Sequence, residues 1–235
     1  MGTHRSYRQT CGVARALDLL GERWTLLVVR ELLLGPKRFG TLQAALPGIS
    51  TNLLSARLRS LVAAGVAEPV RLPPPAAVSA YALTERGEAL RPAVEALAVW
   101  GFELLDPVAE REQGLLSRGA WLASTLAAAA ASDAAAGPKA ADAPDGKPVR
   151  ANFDVEGDRF NVRLEGGRAQ VRHGVLEAAD AELRCSLPEF YALARGQEKA
   201  TNPALAAVFG ALAAPVGADE DDAAQAGDAA AHPLR

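Results

Sequence analysis

Residues 48–65, Gly48-Ile49-Ser50-Thr51-Asn52-Leu53-Leu54-Ser55-Ala56-Arg57-Leu58-Arg59-Ser60-Leu61-Val62-Ala63-Ala64-Gly65, constrain this chain more than any other stretch. At about 100° per residue, Leu54, Leu58, Leu61 and Gly65 fall on one side of a helix, and Asn52, Ser55, Ala56 and Arg59 fall on the other or at its edge. The spacing therefore predicts a helix with a packed back and an accessible front. Ser50 is placed to cap its first turn, and Gly65 to end it in a left-handed conformation. The front carries no acid, and its basic residues sit beside short polar side chains that can approach base edges closely. Such a face suits a DNA major groove.

The flanking sequence supplies the rest of a module. Val13, Leu17 and Leu20 keep a helical spacing that Gly21 ends, and Trp24 to Leu34 is apolar nearly all round apart from Arg30 and Glu31, as the buried centre of a bundle. Gly35-Pro36 breaks that helix. Phe39, Leu42 and Leu46 line a short one, and Pro47-Gly48 turns into the helix beyond, which makes a helix-turn-helix. Val66 to Leu72 and Val78 to Leu83 read as strands joined through Pro73-Pro74-Pro75-Ala76-Ala77, a wing. Thr84 is placed to cap a helix from about Glu85 to Leu105, bent at Pro92. Its stripe of Leu90, Val94, Leu97 and Leu104, with Val99, Trp100 and Phe102 beyond it, is too apolar for one side and predicts a dimer face.

Charge is distributed to match. The net charge is only −3, but residues 1–91 hold twelve Lys/Arg against six Asp/Glu, and residues 92–235 hold thirteen against twenty-two. Local field rather than total charge decides what a surface attracts. No apolar run of about 18 residues is present and the N-terminus lacks a signal-peptide core, so a cytoplasmic protein with no membrane contact is expected. Two cysteines, Cys11 and Cys185, are too few for a disulfide framework or a zinc site.

Residues 11–105 resemble the winged-helix core of HxlR-type transcriptional regulators. The resemblance is carried by Cys11, by Ala14 through Leu27, Gly35 through Phe39, Leu46 through Ser50, Leu53 through Leu58, and Tyr81 through Thr84, in the family's order and spacing. It implies a homodimer built through the helices flanking the wing domain, with two recognition helices entering successive major grooves. The departures are Gly12, where the family often has proline, and an uncharged proline-rich wing tip.

Further along, a helix from about Glu112 to Ala130 leads into a Pro/Gly/Ala/Asp segment without apolar period, read as a flexible linker. Period-two strands follow: Ala151, Phe153 and Val155; Phe160, Val162 and Leu164; Ala169 and Val171; then Ala181, Leu183 and Cys185. The first three predict an antiparallel meander with one face buried. Ser186-Leu187-Pro188-Glu189 is a capping box opening a helix that buries Phe190 and Leu193, and a last helix runs from about Pro203 to Ala213. This order of strands and helix resembles the C-terminal half of a sterol-carrier-protein-type lipid-binding fold, and implies an apolar ligand pocket. The expected class is α+β, with an N-terminal winged helix-turn-helix domain followed by a small antiparallel-sheet-plus-helix domain. The expected divisions are a DNA-binding and dimerisation domain over 1–110, a connecting helix over 111–131, a linker over 132–148, the sterol-carrier-like domain over 149–216 and an acidic disordered tail over 217–235.

The expected DNA-contacting residues are Ser50, Thr51, Asn52, Ser55 and Arg59 on the recognition helix, with Lys37, Arg38, Arg71 and Arg86 as backbone anchors and Arg57 as either structural or phosphate-binding. The expected partner is double-stranded DNA with a palindromic site, bound by a homodimer. Cys11, at a helix start near Arg8 and Arg15, is a candidate redox thiol as well as an ordinary small residue. The C-terminal domain is expected either to bind a hydrophobic small-molecule effector or to serve only as a dimerisation or solubility module. The three histidines, His4, His173 and His232, are scattered, and no catalytic or metal-ligating constellation and no phosphate loop shares a face. No enzyme activity and no cofactor are expected. The alternative function is a lipid or small-molecule binding protein whose winged helix serves protein contacts.

Overall fold

The computed structural model describes residues 6–73, 77–102, 104, 119–133, 147–166, 168–194 and 196–212. The proline-rich wing tip, most of the expected linker and the whole acidic tail lie outside these residues.

The first half is built around an apolar helix. α1 (Gly12–Leu20) leads through Trp24, held at φ +78°, into α2 (Thr25–Leu33), whose Val28, Val29 and Leu32 are all but inaccessible. α3 (Phe39–Ala45) and α4 (Thr51–Ala63) close over it, and the strands β1 (Ala67–Arg71) and β2 (Ser79–Leu83) pair antiparallel with Ala67 opposite Leu83. Lys37 extends this ribbon by an isolated bridge to Tyr81, so the turn after α2 is tied to the wing.

The end of α4 has a specific chemistry. Gly65 takes φ +67°, its N–H donates to the Val62 carbonyl, and the Val66 N–H donates to the Leu61 carbonyl. That is a Schellman closure, and Leu61 and Val66 are buried together beneath it. Thr84 then caps the four-residue helix α5 (Glu85–Glu88), accepting from the Gly87 N–H and donating to the Gly65 carbonyl at 2.7 Å. A Cβ on Gly87 would lie 2.1 Å from the Val66 carbonyl oxygen, so only glycine allows this helix to sit so close to the end of α4.

The expected long helix after the wing is interrupted rather than bent. α6 (Arg91–Phe102) starts afresh after α5, which puts Pro92 in its first turn, where a missing N–H costs nothing. Leu90 and Val94 pack on the first core, whereas Leu97, Trp100 and Leu104 stay exposed.

The second half is a layered α+β unit. β3 (Val149–Val155), β4 (Asp158–Glu165) and β5 (Arg168–His173) form the antiparallel meander, and β6 (Ala181–Cys185) joins on the far side, parallel to β3, in the order β5-β4-β3-β6. The chain between β5 and β6 must therefore cross the sheet. It is pinned as it does so: Asn152 exchanges two hydrogen bonds with Leu176, and the Asn161 amide donates to the Gly174 carbonyl at 3.1 Å. Asn152 and Asn161 face each other across the ladder and are each only 4% exposed.

On the other face, α8 (Leu187–Ala194) and α9 (Pro203–Leu212) cover the sheet together with α7 (Gly119–Asp133). The capping box forms at the start of α8, where Glu189 accepts from both the N–H and the hydroxyl of Ser186 at 2.7 Å. Those hydrogen bonds hold its carboxyl below the ordinary value. Between sheet and helices, where an apolar ligand pocket was expected, Phe153, Phe160, Phe190 and Phe209 form a cluster with ring centroids 5.2–5.8 Å apart. The rings fill that layer as an aromatic core. α7, read from sequence as a connector, gives Ala120, Ala123 and Leu126 to this same core. None of the described helices is long and apolar enough to cross a membrane.

Candidate nucleic-acid interface

α4 divides as its sequence demands. Leu54, Leu58 and Leu61 are buried, Thr51, Asn52, Arg59 and Ser60 are exposed, and Ser55 and Ala56 lie between. The Ser50 hydroxyl accepts from the Leu53 N–H, so this side chain is engaged as the cap. Gln43 on α3 donates to the Thr51 hydroxyl at 2.9 Å, which fixes the angle between the two helices and leaves the Thr51 O–H able to donate outward. The front is thus a polar surface that includes Arg59, which makes no ion pair among the described residues.

The basic residues around it sort into two groups. Arg38, at the start of α3, and Arg71, opposite Ser79 in the wing, are exposed. Arg86 is exposed too, but it borders a groove with Arg15 and Leu19 of α1, by the end of α4 rather than its front. Lys37 and Arg57 are elsewhere committed. Lys37 is 4% exposed and donates to the Glu31 backbone carbonyl, with its Nζ 3.7 Å from the Glu31 carboxylate. It is an interior cation, not a phosphate anchor, because the bridge to Tyr81 turns its side chain inward. Arg57 donates to the Arg23 carbonyl at 3.1 Å and pairs with Glu22 at 2.9 Å, so of its two expected roles it takes the structural one.

Glu31 is the residue whose importance the sequence reading passed over. It is fully buried, and its Oε1 accepts from the Trp121 indole N–H at 2.7 Å and from Arg30 at 3.0 Å. The Arg30 guanidinium lies 3.7 Å from the centroid of the Trp121 ring. The signal was available: a carboxylate inside an otherwise apolar helix must find buried donors. What the sequence does not show is that one donor comes from α7, ninety residues away.

The same helix is gripped at its carbonyl end. The Leu33 carbonyl accepts from Arg91 at 2.9 Å and from Arg172 at 2.6 Å, and the Leu34 carbonyl accepts from the His173 N–H at 2.8 Å. Cations here complement the negative end of the helix. Glu88 pairs with both arginines.

Cys11 is exposed at the start of α1, and the backbone N–H groups of Ala14 and Val13 hold its thiol below the ordinary value. Cys185 is half-buried, and burial, with the charges of Glu189, Glu156 and Asp154, pushes it up to about 11. Since the thiolate is the nucleophile, the two should separate on alkylation. Iodoacetamide in mildly alkaline buffer is expected to label Cys11 while Cys185 stays unmodified in the native protein, read by mass spectrometry of peptides; equal labelling would contradict the assignment.

Comparison with known proteins places this geometry. The family model described as HxlR-like helix-turn-helix matches residues 19–109. The HTH-type transcriptional regulator YvaP of Bacillus subtilis (strain 168) is 39% identical over 93 residues, covering 40% of this chain and 86% of that protein. The HTH-type transcriptional regulator Rv3095 of Mycobacterium tuberculosis (strain ATCC 25618 / H37Rv) is 46% identical over 93 residues, 40% of this chain and 58% of its own length. YodB of Bacillus subtilis (strain 168), another HTH-type transcriptional regulator, is 35% identical over 92 residues, 39% of this chain and 82% of its own. With a matched helix-turn-helix, a polar α4 front free of acids and a relative aligned over most of its length, the chain belongs to the HxlR-like helix-turn-helix family of DNA-binding transcriptional regulators.

Proposed function

We propose that the chain binds a palindromic operator as a homodimer, with α4 of each protomer in the major groove of one half-site. The observation that carries this is the α4 front, where Thr51, Asn52, Ser55 and Arg59 stand together while the back of the helix is locked by Leu54, Leu58 and Leu61. Asn52 and Arg59 take the reading roles, Thr51 and Ser55 add shorter contacts, and Arg38 and Arg71 take backbone phosphates on either side. The exposed apolar side chains of Val13 and Leu17 on α1, Leu97 and Trp100 on α6 and Leu104 just beyond it support a two-fold interface. Such a dimer sets half-sites about one helical turn apart.

On this reading the protein works as a non-enzymatic regulator in the cytoplasm, with Cys11 as the exposed thiol on the dimer side. The second domain is the regulatory part, and its order of meander, fourth strand and capped helix supports kinship with the sterol-carrier type. The exposed polar front of α4 supports this reading over that of a carrier whose winged helix serves only protein contacts.

Selection of genomic fragments with the purified full chain tests the reading. Recovery of an inverted repeat, bound with an affinity that falls steeply with salt, is expected because each phosphate contact releases counterions. Recovery of random fragments alone would overturn it.

A further inference from the structure

A cleft of about 480 Å³ lies between the two halves. One wall comes from the first half: Leu34, Pro36 and Leu83, the corner after α2 and the end of the wing strand β2. The other comes from the outer face of the second sheet: Asn161, Arg163 and Arg172, roofed by the crossing segment at Val175 and Leu176. It is a different place from the aromatic layer on the sheet's other face.

Three observations give the cleft a chemistry. Arg163, two residues beyond Asn161 on β4, is exposed and makes no ion pair among the described residues. Arg172, the cross-strand neighbour of Asn161, holds the Leu33 carbonyl and Glu88 through Nη1 alone, so further donors of its planar fork remain. Glu88 also borders the cleft, which leaves two guanidiniums against one carboxylate. The balance favours one added negative charge.

The third observation is Asn161 itself. It is 4% exposed, its amide nitrogen is fixed by the Gly174 carbonyl, and its Oδ1 is buried without a donor. An unsatisfied buried acceptor is costly, and Asn161 keeps one just beneath the cleft that it lines. The remaining surface of Leu34, Pro36, Leu83 and Val175 is apolar and wants no polar partner.

We infer that this cleft binds a small amphiphilic monocarboxylate: its carboxylate on Arg163 and Arg172, which flank Asn161 on the sheet, and its apolar body against Pro36, Leu83 and Val175. Bidentate guanidinium contact suits the carboxylate, and the volume suits a single-ring acid. The site also touches the machinery of the interface. Pro36 precedes Lys37, which is bonded to Tyr81 of the wing, and Leu83 ends that same strand. The binding claim stands by itself; its regulatory use rests on the operator-binding reading above.

Titration calorimetry on the full chain tests it, with para-hydroxybenzoate, para-hydroxyphenylacetate and indole-3-carboxylate as probes and para-hydroxybenzyl alcohol as the uncharged control. At least one acid is expected to bind, with the alcohol weaker by about tenfold or more. Arg163→Ala, at an exposed position, is expected to weaken the acid about tenfold while thermal unfolding is unchanged, and Arg163→Lys to recover part of the loss. No binding of any acid at millimolar concentration, or equal binding by Arg163→Ala, would overturn the site. DNA binding is measured on the same preparation. Protein that binds DNA but no acid overturns the cleft alone, and protein that binds acid but no DNA overturns the operator reading alone.

Discussion

Replacing Asn52 and Arg59 together by alanine is expected to abolish specific DNA binding while leaving the fold and the dimer intact. Both side chains are exposed on a helix held by Leu54, Leu58 and Leu61, so their removal opens no cavity. A good base-edge contact is worth about 1–3 kcal/mol, and in the proposed two-fold complex each contact is lost twice. The loss on a selected operator is therefore about 4 kcal/mol or more, a thousandfold in Kd. Fluorescence anisotropy reads the affinity and light scattering the dimer. An unchanged Kd with an intact dimer would remove α4 from the interface.

The second large effect is on stability. Glu31→Gln keeps the shape of the side chain but takes the charge from a carboxylate that is fully buried between Lys37, Arg30 and the Trp121 indole. Breaking a buried ion pair from one side leaves the partner's charge in a poorly solvated place, at a cost of about 3–5 kcal/mol. Removing both charges is a different case. Glu31→Leu with Lys37→Met is expected to regain a substantial part of that loss, because the two desolvated charges disappear together. Denaturant unfolding of the three proteins decides it; a Glu31→Gln variant as stable as the parent would show that the carboxylate carries little of the joint.

Much of the first half was legible because local rules decide it. The amphipathic pattern of α4, its Ser50 cap and its Gly65 terminus need no distant partner, and Thr84 caps where its sequence placed it. Charge is another matter, since a basic side chain announces itself in sequence but its partner does not. Lys37 looks like a phosphate anchor in sequence, yet Glu31 claims it, and Arg57, open in sequence between a structural and a phosphate-binding role, is held by Glu22 and the Arg23 carbonyl. Helical continuity misled at Pro92, which fits a first turn as easily as a bend. In the second half, period two correctly showed which residues line the aromatic core, but it gave Asn152 and Asn161 to solvent. The crossing chain at residues 174–176 buries them, and no alternation within a strand can reveal what a later loop lays over it.

The grip on the end of α2 has a consequence for how the molecule comes apart. Leu34 belongs to the core of the second half although it directly follows the central helix of the first, and the Leu33 and Leu34 carbonyls are held by β5. Opening the second half would strip donors from that helix end and from Glu31 at once, so its loss destabilises the first. Cooperativity follows from shared contacts of this kind, and the two halves should melt as one transition rather than as beads on a string. A regulator assembled in this way carries its second domain as part of the folding unit that presents α4.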